Sequence, residues 1–369
     1  MQLKYSVDKN ICNVIFKNKI DSSLNKQIER CKSDKKILFV YDKNISKKIV
    51  DKFLTSLSEI GCEVTAFEFK GNKKNKNEKS LFFLINVLIN KNFTKNSILI
   101  SLGGGVVGDI CALASSLYYR GIIYFHIPTT MTAIIDSCIG GKTAINYKGI
   151  INCVGGYYHP SSVLIFNEII SNIPEREYKS GIPEILKCGL IKKNKILSIL
   201  KNKRKDILDR DPINILSVCK ETLKTKIFFF KDDVREKNQR LNLNFGHTFA
   251  HSIEMSTDKI ISTDIFRHGE AVGVGILAEI LYSNFCRENN LFFETKNILE
   301  SFNLPTNVSF FSKKFNKQKM HDAIFKNLFL DKKRIGKYPR YIKLNKVGQP
   351  HIGVMEDENL INSVISKII

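Results

Sequence analysis

No stretch of this 369-residue sequence is apolar for 18 consecutive residues, so a membrane-spanning helix is excluded by pattern. The opening residues, MQLKYSVDKN, have no apolar core of the secretory kind, and a cytoplasmic protein is expected. No C-x-x-C pair occurs among the nine cysteines (12, 31, 62, 111, 138, 153, 188, 219 and 286). Their odd number and scatter argue against a disulfide framework or a thiolate zinc site; reduced core thiols are expected. Acidic residues are also in short supply, 36 against 58 Lys and Arg, leaving a formal charge of +22. Such a surplus draws nucleic acid or anionic metabolites. The lysines, however, are dispersed and mixed with Asn and Ile, as in GNKKNKNEKS, and no aromatic-interleaved RNA motif or zinc-finger spacing accompanies them. We read a solvated surface, with no specific nucleic-acid partner and no membrane. Internal repeats are absent, and NKKNKNEK reads as a polar loop of low complexity.

What is present begins with SLGGGVVGDICALASSLYYRG, residues 101–121, an apolar run delivered through glycines into a second apolar run. Its spacing is neither G-x-G-x-x-G nor G-x-x-x-x-G-K-[ST], so a nucleotide-binding turn and a plain tight turn are both open. KKILFVYDKN, CEVTAFEFKG, SILISLGGG and IIYFHIPTT read as strands, EKSLFFLINVLIN as a helix, and a further helix is expected from the glycine turn through Tyr119. This alternation predicts a Rossmann-like parallel sheet, with Gly104, Asp109, Thr129 and Thr130 on the rim where ligands bind. Beyond Pro174 the periodicity becomes helical, which predicts an α/β domain over residues 1–173 and a mostly α-helical domain over 174–369.

The helical part carries the metal-competent chemistry. NFGHTFAHSIE places His247 and His251 one turn apart on one face, RHGEA supplies His268 and Glu270, and GIPEILKCG supplies Glu184 with Lys187. A three-ligand N/O site with an open position suits catalytic zinc. Spacing alone makes His247 and His251 both ligands and does not choose among His251, His268 and Glu270 for the remaining places.

GGGVVGD, PTTMTAIIDSCIGGKTAIN, PEREYKSGIPEILKCGLI, DDVRE, NFGHTFAHSIE and HGEAVGVG together resemble 3-dehydroquinate synthase, the phosphate-eliminating carbon–oxygen lyase of the shikimate pathway and aromatic amino acid biosynthesis. The resemblance runs in family order from about residue 70 to residue 340. It implies an NAD-binding domain followed by a helical metal- and substrate-binding domain, with the active site between them, usually in a homodimer. The substrate would be 3-deoxy-D-arabino-heptulosonate 7-phosphate, the cofactors NAD and Zn2+ or Co2+. Matched by position, the metal ligands are Glu184, His247 and His268, while His251 becomes a proton-handling group. NAD would meet Asp42, Asn44, Lys79, Gly105, Val106, Val107, Gly108, Asp109, Thr129, Thr130 and Asp136, with Lys142 where cofactor and substrate meet. Lys226 and Arg240 match carboxylate-side positions. Arg120 from a neighbouring subunit, Asn152, Lys332 and Lys333 match phosphate-side positions, and Lys187 and Asn244 match those around the ring hydroxyls.

The chain departs from the family pattern in three places. A lysine that precedes the asparagine matched by Asn152 is here Ile151, and Lys148 is expected to swing into the vacated place beside flexible Gly149. Pro183 requires the helix bearing Glu184 to start close by. The segment between His251 and His268 is longer than usual. Another sugar-phosphate cyclase and a metal-dependent polyol dehydrogenase remain alternative readings.

Overall fold

KILFVYD is apolar at nearly every position, which suits a strand covered on both faces rather than one. The computed structural model, which describes all residues except 8–9, 263, 285–289 and 331–333, makes it the third strand of a seven-stranded sheet. Two compact units are present, Met1–Ile173 and Pro174–Ile369.

The strands of the first unit are β1 (Gln2–Val7), β2 (Asn10–Lys17), β3 (Lys36–Asp42), β4 (Glu63–Phe69), β5 (Ile98–Gly103), β6 (Ile123–Pro128), β7 (Lys142–Tyr147), β8 (Ile150–Tyr157) and β9 (Ser162–Phe166). Its helices are α1 (Ser23–Glu29), α2 (Lys47–Glu59), α3 (Glu78–Asn90), α4 (Gly105–Leu117) and the short α5 (Asn167–Ile170). The sheet order is β1-β2-β9-β6-β5-β3-β4, parallel throughout except for β1, which runs antiparallel to β2. Alternation along β3 divides the core. Ile37 and Phe39 pack with Leu24 and Ile28 of α1 and Val50, Phe53 and Leu57 of α2. Leu38 and Val40 pack with Leu81, Leu84 and Leu88 of α3 and Val107, Ile110 and Cys111 of α4.

One local expectation is corrected here. The helix after the glycine turn stops at Leu117 instead of Tyr119, because Tyr119 and Arg120 take left-handed φ of 47° and 61° and Gly121 follows at 127°, turning the chain into β6. The sheet is parallel as expected, with one antiparallel pair at its edge where the connection between β1 and β2 is short. A feature not anticipated is the antiparallel β7–β8 hairpin, whose turn residues Lys148 and Gly149 both have positive φ, 46° and 78°.

The second unit comprises α6 (Glu175–Lys179), α7 (Ile182–Ile191), α8 (Ile196–Asn202), α9 (Arg204–Leu208), α10 (Pro212–Phe230), α11 (His247–Ile260), α12 (His268–Ser283), α13 (Asn290–Ser301), α14 (Lys317–Leu328) and α15 (Glu358–Ile368). One hairpin, β10 (Arg340–Leu344) with β11 (Pro350–Val354), interrupts the helices. As required by its ring, Pro183 lies in the first turn of α7. Helix α12 is apolar around nearly its whole circumference and is buried from Gly269 to Ile280, the signature of a central core helix. It packs on α11 at unusually close range: a Cβ on Gly275 would stand 2.0 Å from the carbonyl oxygen of Gly246. Gly246 itself has φ 81° and directly precedes His247.

The eight described cysteines are all free, and Cys286 lies outside the described residues. No helix among the described residues is long and apolar enough to cross a membrane.

Candidate functional site

Three helices of the second unit bring Glu184, His247 and His268 together, each offering one ligand atom within 4.8 Å of the others. Glu184 sits in the first turn of α7, His247 opens α11 and His268 opens α12. The Glu184 carboxylate is buried, and neither oxygen has a well-aligned hydrogen bond to any described residue. Its Oε1 instead faces the Nε2 atoms of His247 at 3.4 Å and His268 at 3.6 Å, and its Oε2 faces the Lys187 ammonium at 2.5 Å.

The tautomers make this arrangement informative. His247 Nδ1 lies 3.2 Å from the carbonyl oxygen of Phe245, and His268 Nδ1 lies 3.3 Å from Glu254 Oε2. Both partners only accept, so both Nδ1 atoms carry the proton and, in the neutral rings, both Nε2 lone pairs point at a carboxylate oxygen. Lone pairs and anionic oxygen repel unless a cation lies among them. Donors about 2.1 Å from a tetrahedral zinc are about 3.4 Å apart, close to the spacings observed. The residues therefore fit a divalent ion with nitrogen and oxygen ligands. Without one, a proton does part of the work. Burial alone would lower the pKa of His268, yet the Glu254 and Glu184 carboxylates outweigh it and raise the value. Burial would likewise raise Glu184, but the Lys187 and His268 charges pull it well below the ordinary carboxylate range.

Glu270, one of the alternatives that spacing left open, is committed elsewhere. Its oxygens take a two-pronged contact from Arg176, 2.8 Å on each side, and accept the Arg267 backbone N–H at 2.8 Å, capping α12. His251 stands beside the trio, its ring centre 5.7 Å from that of His247 and 6.1 Å from that of His268. With Glu254 and His268 it forms a second group capable of holding an ion.

Glu254 is the residue that motif reading passed over. It follows His247 by seven positions, two helical turns, and so shares a face with both α11 histidines; that heptad spacing was the available signal. As the partner that fixes the ring of His268, its loss should matter. Glu254→Ala is expected to weaken zinc affinity about 10- to 100-fold while leaving the fold intact, measured by competition with a chromogenic chelator.

Other expected substrate residues in this unit are buried: Lys226 on α10, and Arg240, which donates to the Val234 carbonyl at 2.7 Å and stacks near Phe230. The Arg240 loop is organised by Asp233, whose carboxylate accepts the N–H groups of Lys237, Asn238 and Arg240. Asn244 donates to Glu236 at 2.6 Å. Lys332 and Lys333 lie outside the described residues.

In the first unit the expected cofactor residues gather at the carboxyl ends of three adjacent strands. Asp42 ends β3 and accepts the Asn44 N–H at 3.0 Å. Gly105 to Asp109 open α4 just after β5, and Thr129 and Thr130 follow β6, with the Thr129 N–H donated to Gly103 at 3.0 Å. The first intrahelical bond of α4 is Gly108 N–H to Gly104, so the amides of Gly105, Val106 and Val107 precede it and form an anion-attracting end. Asp136 lies in the following π-helical turn, Lys79 near the start of α3, and Lys142 at the start of β7. Arg120 and Asn152 are exposed, both with left-handed φ. Lys148 occupies the hairpin turn with its Nζ 5.6 Å above the Tyr147 ring, and Ile151 is exposed.

The sequence models of the N-terminal and C-terminal parts of 3-dehydroquinate synthase match residues 66–180 and 181–334 respectively. The chain belongs to the 3-dehydroquinate synthase family. A 3-dehydroquinate synthase of Prochlorococcus marinus is 33% identical over 301 residues, covering 79% of this chain and 81% of that protein. One from Pelagibacter ubique is 32% identical, covering 100% of this chain and 98% of its own. Among solved structures, a 2-deoxy-scyllo-inosose synthase complexed with carbaglucose-6-phosphate, NAD+ and Co2+ shares the fold at TM-score 0.85 and 22% identity, each chain fully covered. The 2-epi-5-epi-valiolone synthase of Streptomyces hygroscopicus with NAD+ and Zn2+ bound follows at TM-score 0.82 and 20% identity, covering 98% of this chain and 96% of that one. The fold of this chain is thus shared with these two synthases.

Proposed function

We propose that this chain is a 3-dehydroquinate synthase, converting 3-deoxy-D-arabino-heptulosonate 7-phosphate to 3-dehydroquinate and phosphate. The observation that carries the reading is the convergence of Glu184 and the two Nε2 atoms of His247 and His268, in a chain matched by both family models. Bound there, a Zn2+ or Co2+ ion supplies Lewis acidity toward substrate hydroxyls, and NAD at the rim of the sheet supplies a hydride acceptor that returns what it takes.

The protein's own residues do the rest. Lys187 lies against Glu184 and donates toward the ring hydroxyls, and Asn244 assists it. Lys226 and Arg240, both buried cations of this unit, would meet the substrate carboxylate. Asn152, Lys332, Lys333 and Arg120 of the partner in a homodimer serve the phosphate end, and Lys142 stands where cofactor and substrate meet. His251 hands protons between substrate and water. Holding the opened intermediate in one pose favours intramolecular ring closure over diffusion of its ends.

Incubating the pure protein with the heptulosonate phosphate, NAD and Zn2+ should release one phosphate per 3-dehydroquinate formed, with no net NADH. Turnover of glucose 6-phosphate in its place would transfer the chain to another cyclase activity, and accumulation of NADH from a simple polyol would identify a dehydrogenase.

A further inference from the structure

The polar loop before α3 contains a lysine whose contacts set it apart from the rest. Lys76 forms an ion pair with Asp109 Oδ2, and its Nζ also donates to Asn152 Oδ1 at 2.5 Å. Its side chain is only 11% exposed, unlike the solvated surface expected for this stretch. The same residue's carbonyl accepts the Asn146 N–H at 2.8 Å, and Asn146 Oδ1 in turn accepts the Asn152 N–H at 3.0 Å. One lysine thus joins the loop, the first turns of α4 and both strands of the β7–β8 hairpin. Lys148, by contrast, stands in the hairpin turn with its Nζ over the Tyr147 ring.

We propose that Lys76 is a positioning residue of the cofactor site, neutralising Asp109 beside the amino end of α4 and fixing Asn152, in place of the part expected of Lys148. The proposal rests on the dinucleotide reading given above. Its electrostatic basis is simple. The leading amides of α4 attract a pyrophosphate, but Asp109 sits one turn behind them and Asp136 adds a second negative charge close by. An uncompensated carboxylate there would repel the ligand that the helix end attracts. Burial pushes the Asp109 carboxyl above its ordinary value, and the Lys76 ammonium works against that rise.

The test uses the full-length protein and NAD+ as titrant, followed by calorimetry. Lys76→Gln keeps an amide donor for Asn152 and removes the charge; Lys76→Ala removes both, and Lys76→Arg keeps both. Gln and Ala are expected to weaken NAD+ about tenfold or more, Arg to stay within about threefold, and Lys148→Ala and Ile151→Lys within about twofold. Thermal melts of each variant show whether the fold persists. Wild-type affinity in Lys76→Gln would overturn the neutralising role, and a loss confined to Lys148→Ala would return the part to that residue. Failure of the wild-type protein itself to bind NAD+ would overturn the cofactor reading, whereas binding unaffected by either neutral Lys76 variant would overturn this inference alone.

Discussion

Glu184→Ala should lose both its metal and a large part of its stability. The carboxylate supplies the oxygen ligand and is also the counter-charge of Lys187, which is 1% exposed at 2.5 Å. Removing one partner of a buried pair costs about 3–5 kcal/mol because the remaining charge has been taken out of water. We therefore expect zinc to fall from about one per chain to near zero, turnover to fall at least about 1,000-fold, and the urea midpoint to drop. The two losses separate in a double variant. Glu184→Ala with Lys187→Met should regain much of the stability and none of the zinc, since the apolar side chain fills the space without a charge. Elemental analysis and urea titration of both proteins decide the matter; a Glu184→Ala protein with full zinc content would refute the ligand assignment.

His251→Ala should separate chemistry from metal binding. His251 and His247 share a helical face, and His251 belongs to a second ion-competent group with Glu254 and His268. Geometry alone therefore permits two assignments. In the one we favour, the ion lies with Glu184, whose buried oxygens lack aligned hydrogen bonds, rather than with Glu254, which is engaged by the Nδ1 of His268. Zinc should then remain near one per chain in His251→Ala while kcat falls about 100- to 10,000-fold, the range for losing a positioned acid–base group. His247→Ala should lose both. Zinc lost from His251→Ala would place the ion in the second group instead.

Much of this was legible because the physical signal is local. Strand β3 announces burial on both faces through its unbroken apolar run, and the α11 histidines announce a shared face through their spacing. What could not be read depends on distant partners. Glu270 and Glu184 are both carboxylates near helix starts, and only the position of Arg176 shows that Glu270 is committed to an ion pair. Lys76 is one lysine among several in a stretch of low complexity; its partners are 33 and 76 positions away, at Asp109 and Asn152. The β7–β8 hairpin was missed because β8 is exposed along its length and so carries no alternation of buried and solvated residues.

The near contact of Gly246 and Gly275 gives the metal site an unusual kind of ruler. His247 follows the first glycine directly, and His268 precedes the second by seven residues, about 10 Å along the helix axis. The distance between the two imidazoles is therefore inherited from main chain touching main chain, where no rotamer can relax and no larger residue can wedge. Side chains elsewhere on α11 and α12 can drift in volume while that gauge stays fixed; a single methyl at either glycine would push the helices apart and detune the ion without altering any atom that binds it.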